Sequence, residues 1–235
     1  MKKARLIDLG QIDYQKAWDF QEDLFNQKIQ YKLHKTADKL PVDGFLHHLI
    51  LCEHPNVFTI GKNGKEEHLL LSKSILQEKN IAFYKSNRGG DITFHGIGQC
   101  VGYPIFDLEE FKLDIHWYMR SLEEVIIRTL AQFGIRGERI HNLTGVWIDA
   151  HNPKKARKIC AFGVRTSRWV TMHGFALNIN TNLDFYKMIV PCGISDKGIT
   201  SIQQELGEKI DENLVKQFII RNFESVFEID LCLRK

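Results

Sequence analysis

The sequence predicts a mixed α/β fold, a large and partly antiparallel β-sheet flanked by helices, on three observations. Several long segments repeat apolar residues at three- and four-residue steps, the spacing of an amphipathic helix. Between them lie short β-branched and aromatic runs bounded by Gly, Pro and Asn. The 235 residues, 43% of them hydrophobic, can bury one sizeable core, and no Pro/Ser-rich linker, internal repeat or low-complexity segment divides them. The chain is therefore read as a single domain, residues 1–235, with helices covering a sheet.

The opening stretch "MKKARLIDLG" moves almost at once into strand-like alternation, and "YQKAWDFQEDLFNQKIQYK" follows as a helix. "HLILCEH" and "NVFTIG" read as strands separated by a turn at Pro55 and Asn56. Ser72 opens a short helix in "SKSILQEK", because its hydroxyl can accept an unpaired N–H of the first turn. The strands "IAFYKS", "DITFHG" and "QCVGYPIF" come next. The clearest helix is "DIHWYMRSLEEVIIRTLAQFG", where Tyr118, Leu122, Val125, Ile126, Thr129, Leu130 and Phe133 share a face and Gly134 supplies the stop. Three more strands follow, "TGVWID", "KICAFGVR" and "WVTMHGFALNIN", the last two joined through the polar "TSR" as a hairpin. "ENLVKQFIIRNFESVF" closes the series as a helix.

No apolar run approaches the roughly 20 residues a membrane helix needs. "MKKARLIDLG" lacks a secretory apolar region, so a cytoplasmic protein of bacterial type is expected. The cysteines (Cys52, Cys100, Cys160, Cys192 and Cys232) form an odd set with no CxxC pair, which points to reduced thiols. The histidines show no HExxH-like spacing, so no metal site is expected. A net charge of only +3 does not imply generic nucleic-acid binding. The basic run "NPKKARK" at 152–158 is either a solvated loop or a docking patch for an acidic partner.

Four segments carry candidate chemistry. In "NRGGDITFHGIGQ", Gly89 and Gly90 let the backbone approach a ligand or take a positive φ, beside Arg88, which can hold an anion or a carbonyl. This is no dinucleotide fingerprint, because Val101 stands where the third glycine belongs, and no P-loop, because GK[ST] is lacking. A Gly-Gly pair is also simply a turn, and His95, which shares a strand face with Thr93, reads as readily as a satisfied structural histidine. In "KKARKICAFGVR", alternation puts Lys158, Cys160 and Phe162 on one face. Lys158 either snorkels its ammonium outward or, in a dry pocket, serves as a base. In "MHGFALNIN", Gly174 marks a bulge or a close backbone approach. In "IVPCGISDKGITS", Cys192 stands at a corner between Pro191 and Gly193. It is inert there, or nucleophilic if a base or positive charge lowers its pKa.

In this order, "RGGDITFHGIGQCVGYPIFDL", "TGVWI", "KICAFGVR", "VTMHGFALNIN" and "VPCGI" with "GITSI" resemble the lipoyl(octanoyl) transferases of lipoate biosynthesis. The likeness extends from about Leu6 to Leu206. It implies a biotin/lipoate protein ligase-like catalytic domain. It also implies transfer of an octanoyl or lipoyl group from octanoyl-acyl carrier protein to a lysine of a lipoyl domain, the first step of endogenous protein lipoylation. The acceptors implied are lipoyl domains of 2-oxoacid dehydrogenase E2 subunits and the glycine cleavage H protein. Cys192 would carry the acyl thioester, and Lys158 would lower its pKa or take its proton. Arg88, Gly89, Gly90, Asp91, Ile92, Thr93, Phe94 and His95 would line the acyl site. Ala161, Phe162 and Gly163 would join them, as would Gly174, Phe175 and Ala176, with Gly163, Gly174 and Ala176 leaving an apolar slot open. No cofactor, metal, nucleic acid or membrane is implied.

The chemistry fits these residue types. Moving an acyl group between thioesters loses little free energy, and amide formation is downhill, so ATP is not required. A thiolate suits the first step and a neighbouring amine can shuttle the proton in both. Backbone amides near Gly193, or around Gly89 and Gly90, are expected to hold the oxyanion. Three positions depart from the family's pattern. Ile97 replaces a proline, Cys100 is unusual, and Cys160 stands where a small apolar residue is typical, so it is expected to crowd the site or compete as a thiol. The alternatives are an amidotransferase that moves the group between lipoyl-domain proteins, an ATP-dependent ligase, which would not need Cys192, and a non-catalytic carrier-binding module, which would need neither Cys192 nor Lys158.

Overall fold

The computed structural model describes residues 1–34, 44–190 and 197–233. Its elements are, in chain order, β1 (Lys2–Gln11), α1 (Tyr14–His34), β2 (His47–Glu53), β3 (Val57–Ile60), α2 (Lys73–Glu78), β4 (Ala82–Lys85), β5 (Ile92–His95) and β6 (Gln99–Ile105). There follow α3 (Ile115–Ala131), β7 (Glu138–Ile140), β8 (Leu143–Ile148), β9 (Arg157–Ser167), β10 (Val170–Asn178), β11 (Gly198–Ile199), α4 (Ile202–Leu206), α5 (Glu212–Phe227) and β12 (Ile229–Leu233). The main sheet runs β12-β1-β2-β6-β10-β9-β8-β7, with the short β11 also paired to β9. Strand β1 is parallel to both neighbours and β11 is parallel to β9, while the centre of the sheet is antiparallel. The mixed, helix-flanked sheet is the architecture the sequence predicts. A second sheet, β4-β3-β5, is an addition. Only a bend at Pro55 and Asn56 separates β2 from β3, and nothing in that dipeptide says that the chain changes sheets there.

The layers follow from alternation. Along β2, Leu49 and Leu51 join the core under α3 and α5, while Ile50 and Cys52 pack with Ala17, Leu24 and Phe25 of α1. A strand covered on both faces reads as a continuous apolar run, as β2 does. Helix α3 begins where the Asp114 carboxylate accepts the Trp117 N–H, and it buries the predicted face from Tyr118 to Leu130. Gly134, at φ 72°, takes the left-handed conformation that ends the turn. In α5, Val215, Ile219, Phe223 and Phe227 recur every four residues, so one apolar stripe meets α3 and the sheet. Ser72 caps α2 as predicted, accepting from the Ile75 N–H. No described helix is long and apolar enough to cross a membrane.

The β9–β10 hairpin turns one residue later than "TSR" suggests. Ser167 pairs with Val170, and the two loop residues are Arg168 and Trp169, both at positive φ (49° and 65°). A right-twisted hairpin needs such a turn, usually from Asn-Gly. Here it is held from outside, because Lys32 Nζ donates to the Arg168 carbonyl (2.7 Å) and the Leu108 N–H to the Trp169 carbonyl (2.8 Å).

Candidate active site

A cavity of about 480 Å³ lies along β9 and β10 and reaches the turn that leads into β5. From that turn and β5 its wall takes Arg88, Gly89, Gly90, Asp91, Ile92, Thr93 and His95. From β9 and β10 it takes Lys158, Ala161, Phe162 and Gly163, then Gly174, Phe175 and Ala176. Segments distant in sequence thus converge, because the hairpin pairs Gly163 with Gly174 and Ala161 with Ala176. Two expected residues are not among the wall. Phe94 turns to the other side of β5, where its ring stacks on Phe185 (4.6 Å between centroids) in the core of the small sheet. Cys192 lies outside the described residues.

The described chain on either side of that segment is fixed by backbone bonds. The Val190 N–H donates to the His68 carbonyl (2.8 Å). Beyond it, β11 sets Gly198 against Arg157 and Ile199 against Lys158, and the Thr200 N–H donates to the Lys158 carbonyl (2.9 Å). Lys158 therefore stands on the cavity wall beside the strand by which the chain leaves residues 191–196. Its Nζ lies 4.7 Å from the centroid of the Trp147 ring.

The glycine-rich turn is held by its own contacts. The Gly89 N–H donates to the Val164 carbonyl (2.9 Å) and Gly90 sits at φ 85°. The Arg88 guanidinium reaches the Thr59 carbonyl (2.7 Å), the Thr59 hydroxyl (2.9 Å) and the Gly89 carbonyl (3.0 Å), so Arg88 braces this turn against β3. The Gly89 amide is consequently committed to β9, which removes it as an oxyanion donor. A side chain the sequence did not single out, His68, donates from Nδ1 to the Asp91 carboxylate (2.6 Å), tying the turn to the loop that also receives Val190.

Two glycines also work differently from the expectation of an open slot. A Cβ on Gly163 would sit 2.8 Å from the Gly89 carbonyl oxygen, and one on Gly174 would overlap the Gly102 carbonyl oxygen on β6. Their missing side chains are filled by neighbouring backbone, the close approach that glycine in a strand permits. Of the three, Ala176 faces the cavity with a side chain of its own.

Cys160 is another correction. Val146 pairs with Cys160 and Trp147 with Lys158, so two residues of β9 oppose one step of β8 and alternation fails at Ile159. Lys158 stays on the cavity wall, while Cys160 is fully buried among Val146, Leu177 and the α3 face. Burial pushes its thiol pKa well above the ordinary value, which makes it a poor competitor for an acyl group.

The histidines on the wall are neutral. The Gln99 amide nitrogen donates to Asn178 and the Phe94 carbonyl, so its oxygen accepts from His95 Nδ1 (2.8 Å). Burial holds His95 well below the usual imidazole pKa. His173, at φ 57°, is lowered to about 3 by burial first and by Arg88 and Arg165 second. Its backbone N–H donates to Gln21 of α1 (3.0 Å) and its Nε2 to Asn87 of the turn after β4 (2.6 Å), contacts that no sequence spacing indicates. Among the described residues no group of three or more His, Cys, Asp or Glu is placed to hold a metal ion. In the basic run, Lys154 and Lys155 are exposed, whereas the Arg157 guanidinium is engaged by Asp149 and Glu205.

The model of one protein family, the lipoyl protein ligase A/B catalytic domain, matches residues 13–224. The chain is 54% identical over 233 residues to an octanoyltransferase of Cytophaga hutchinsonii, covering 98% of this chain and 95% of the relative. It is 51% identical over 231 residues to an octanoyltransferase of Flavobacterium johnsoniae, covering 98% and 99%. Among solved structures, a bi-partite lipoate protein ligase from Thermoplasma acidophilum superposes with a TM-score of 0.72 at 16% identity, covering 100% of this chain and 87% of that one. A biotin protein ligase from Aquifex aeolicus gives 0.50 at 12%, covering 97% and 70%. At such identities these two likenesses establish the fold alone.

Proposed function

The chain belongs to the lipoyl protein ligase A/B catalytic-domain family, and we propose that it is an acyltransferase carrying octanoyl groups into protein lipoylation, with Cys192 and Lys158 as its reacting pair. The donor is the thioester of octanoyl-acyl carrier protein. The acceptors are lysines of lipoyl domains, on 2-oxoacid dehydrogenase E2 subunits and the glycine cleavage H protein, and the compartment is the cytoplasm. Curated relatives named octanoyltransferase, at 54% and 51% identity over nearly the whole chain, support the acyl group.

The observation that carries the reading is the position of Lys158. It stands on the wall of a cavity faced by Ile92, Val101, Ala161, Phe162 and Ala176, and next to the strand that follows Cys192 in sequence. An acyl chain fits such a wall, and an amine at its edge fits proton transfer to and from the reacting sulfur. In the first step the Cys192 thiolate attacks the donor's thioester carbon. The departing carrier thiolate takes a proton from the Lys158 ammonium. In the second, the acceptor lysine's neutral amine attacks the Cys192 thioester and gives a proton to the now neutral Lys158, and Cys192 leaves as thiolate. Both protons and both sulfurs balance, and the enzyme returns to its starting state.

Intact-mass measurement after incubation with octanoyl-loaded acyl carrier protein tests the route. Wild type should gain one octanoyl group, Cys192→Ser should gain no thioester, and Lys158→Ala should gain it slowly. Absence of an adduct on wild type while transfer proceeds would overturn the covalent mechanism.

A further inference from the structure

Lys158 and Trp147 face each other across β9 and β8, and their register pairing brings both side chains to the same face. Trp147 is 1% exposed and lies under the lysine with its ring centroid 4.7 Å from Nζ. The space for this contact is made two residues earlier. Gly145 adopts φ 141°, a conformation only glycine takes readily. A Cβ there would stand 3.1 Å from Lys158 Cε, 3.1 Å from Trp147 Nε1 and 3.2 Å from the Cys160 carbonyl oxygen. The Gly145 N–H is pinned by Glu123 Oε1 (3.1 Å), a fully buried carboxylate that Arg120 (2.6 Å) and Arg139 (3.1 Å) also hold. Helix α3, the glycine and the indole thus build a bed for one side chain.

We infer that Trp147 is a positioning residue that binds the ammonium form of Lys158. A ring face attracts the charged amine through its quadrupole and offers the neutral amine little, so the contact favours the proton on Lys158. The inference rests on reading Lys158 and Cys192 as the proton-exchanging pair. In that cycle the ammonium exists before the first step and after the second, and a proton held on Lys158 leaves the nucleophile as thiolate at the start. Trp147 touches no reacting atom in this scheme and acts through Lys158 alone.

The test is the titration of the Lys158 ε-methylene followed by NMR, assigned by its loss in Lys158→Arg. In Trp147→Leu the amine pKa should fall by about 0.4 to 1.5 units, the range that follows from a cation–π contact at 1.36 kcal/mol per unit. Trp147→Phe, which keeps a ring, should fall less. Biosynthetic incorporation of fluorinated tryptophans weakens the ring face while keeping its shape, so the Lys158 pKa should drop stepwise with fluorine number even if the leucine variant does not fold. A flat fluorine series, or equal shifts in the phenylalanine and leucine variants, overturns the inference. The titration does not depend on acyl transfer. A covalent adduct on Cys192 with a flat series removes the role of Trp147 and leaves the proposed function standing. A graded series with no adduct removes the covalent mechanism and leaves the coupling.

Discussion

Gly174→Ala tests whether the hairpin glycines serve sheet packing or cavity volume. Gly174 has an ordinary extended backbone, so alanine is conformationally allowed. Its Cβ, however, would overlap the Gly102 carbonyl oxygen and stand 2.6 Å from Pro104 Cδ. Both obstacles belong to β6, a central strand hydrogen-bonded on each side, which cannot retreat without breaking its ladders. Overpacking of this kind costs typically 1–3 kcal/mol and occasionally more, and backbone obstruction on both counts puts this site at about 3 kcal/mol. Replacing glycine restricts the unfolded chain and returns up to about 1 kcal/mol. The net loss of about 2 kcal/mol corresponds to a fall in Tm of roughly 4–8 °C for a protein of this size. Gly163→Ala is the comparison, because its Cβ would press on the Gly89 carbonyl at 2.8 Å and on Arg88 Cδ at 3.1 Å. That turn forms the cavity wall, so KM for the acyl donor should rise in Gly163→Ala more than in Gly174→Ala. Thermal unfolding by circular dichroism supplies the first readout and steady-state transfer the second. A Gly174→Ala protein that melts within about 1 °C of wild type refutes the packing argument.

Two further outcomes are expected. Cys52, Cys100 and Cys160 are at most 3% exposed and burial raises all three thiols, Cys100 to about 12. Iodoacetamide at pH 8 should therefore leave them unmodified in the native protein, as peptide mapping can check, and alkylation of Cys160 at the rate of Cys192 would contradict its burial. Burial also lowers His47 and His173 to about 3 from the ordinary 6.5. Unfolded chains then bind more protons than folded ones between these values, so the stability is full above pH 6.5 and is lost as pH falls toward 3. The slope is up to about 1.4 kcal/mol per pH unit for each histidine, or about 4 kcal/mol for the pair by pH 5. Tm should drop between pH 7 and pH 5 and the drop should shrink in His47→Gln; a level Tm across that range would refute the assignment.

Much of the fold is written in local pattern. The α3 face, the Ser72 cap and the Gly134 stop are short-range features, and each appears where the spacing puts it. What the sequence conceals is long-range or irregular. The parallel pairing of β12 with β1 joins the two ends of the chain, and "IDLCL" carries no sign of its partner. The small sheet is hidden for the same reason. The register shift at Ile159 defeats the two-residue rule that placed Cys160 beside Lys158, because a bulge leaves no mark in so short an apolar run. Phe94 was misplaced by treating "RGGDITFH" as one wall, although strand alternation alone would turn Phe94 away from Thr93 and His95. His68, Trp147 and His173 escaped because their partners come from other elements: Asp91 from the turn before β5, Lys158 from β9, Asn87 and Gln21 from outside β10.

The proposed pairing of Lys158 with Cys192 is the connection the sequence could least supply, since the two are far apart along the chain. Sheet register sets the described chain on the far side of residues 191–196 beside Lys158, by a route that does not depend on either side chain. Parallel pairing of β11 with β9 fixes where the chain must be once it has passed Cys192, and the bond from Val190 to His68 fixes where it must be just before. Arg157 reinforces the exit, because its guanidinium grips Glu205 of α4, the helix that follows β11, while its backbone pairs with Gly198. The lysine is thus built into a strand, and the described chain on either side of residues 191–196 is tied to that strand through Gly198 and Ile199 and to the cavity turn through Val190, His68 and Asp91. The cavity wall that carries Lys158 is a property of the sheet, and the residues that precede and follow 191–196 are set by backbone bonds to that sheet and to His68.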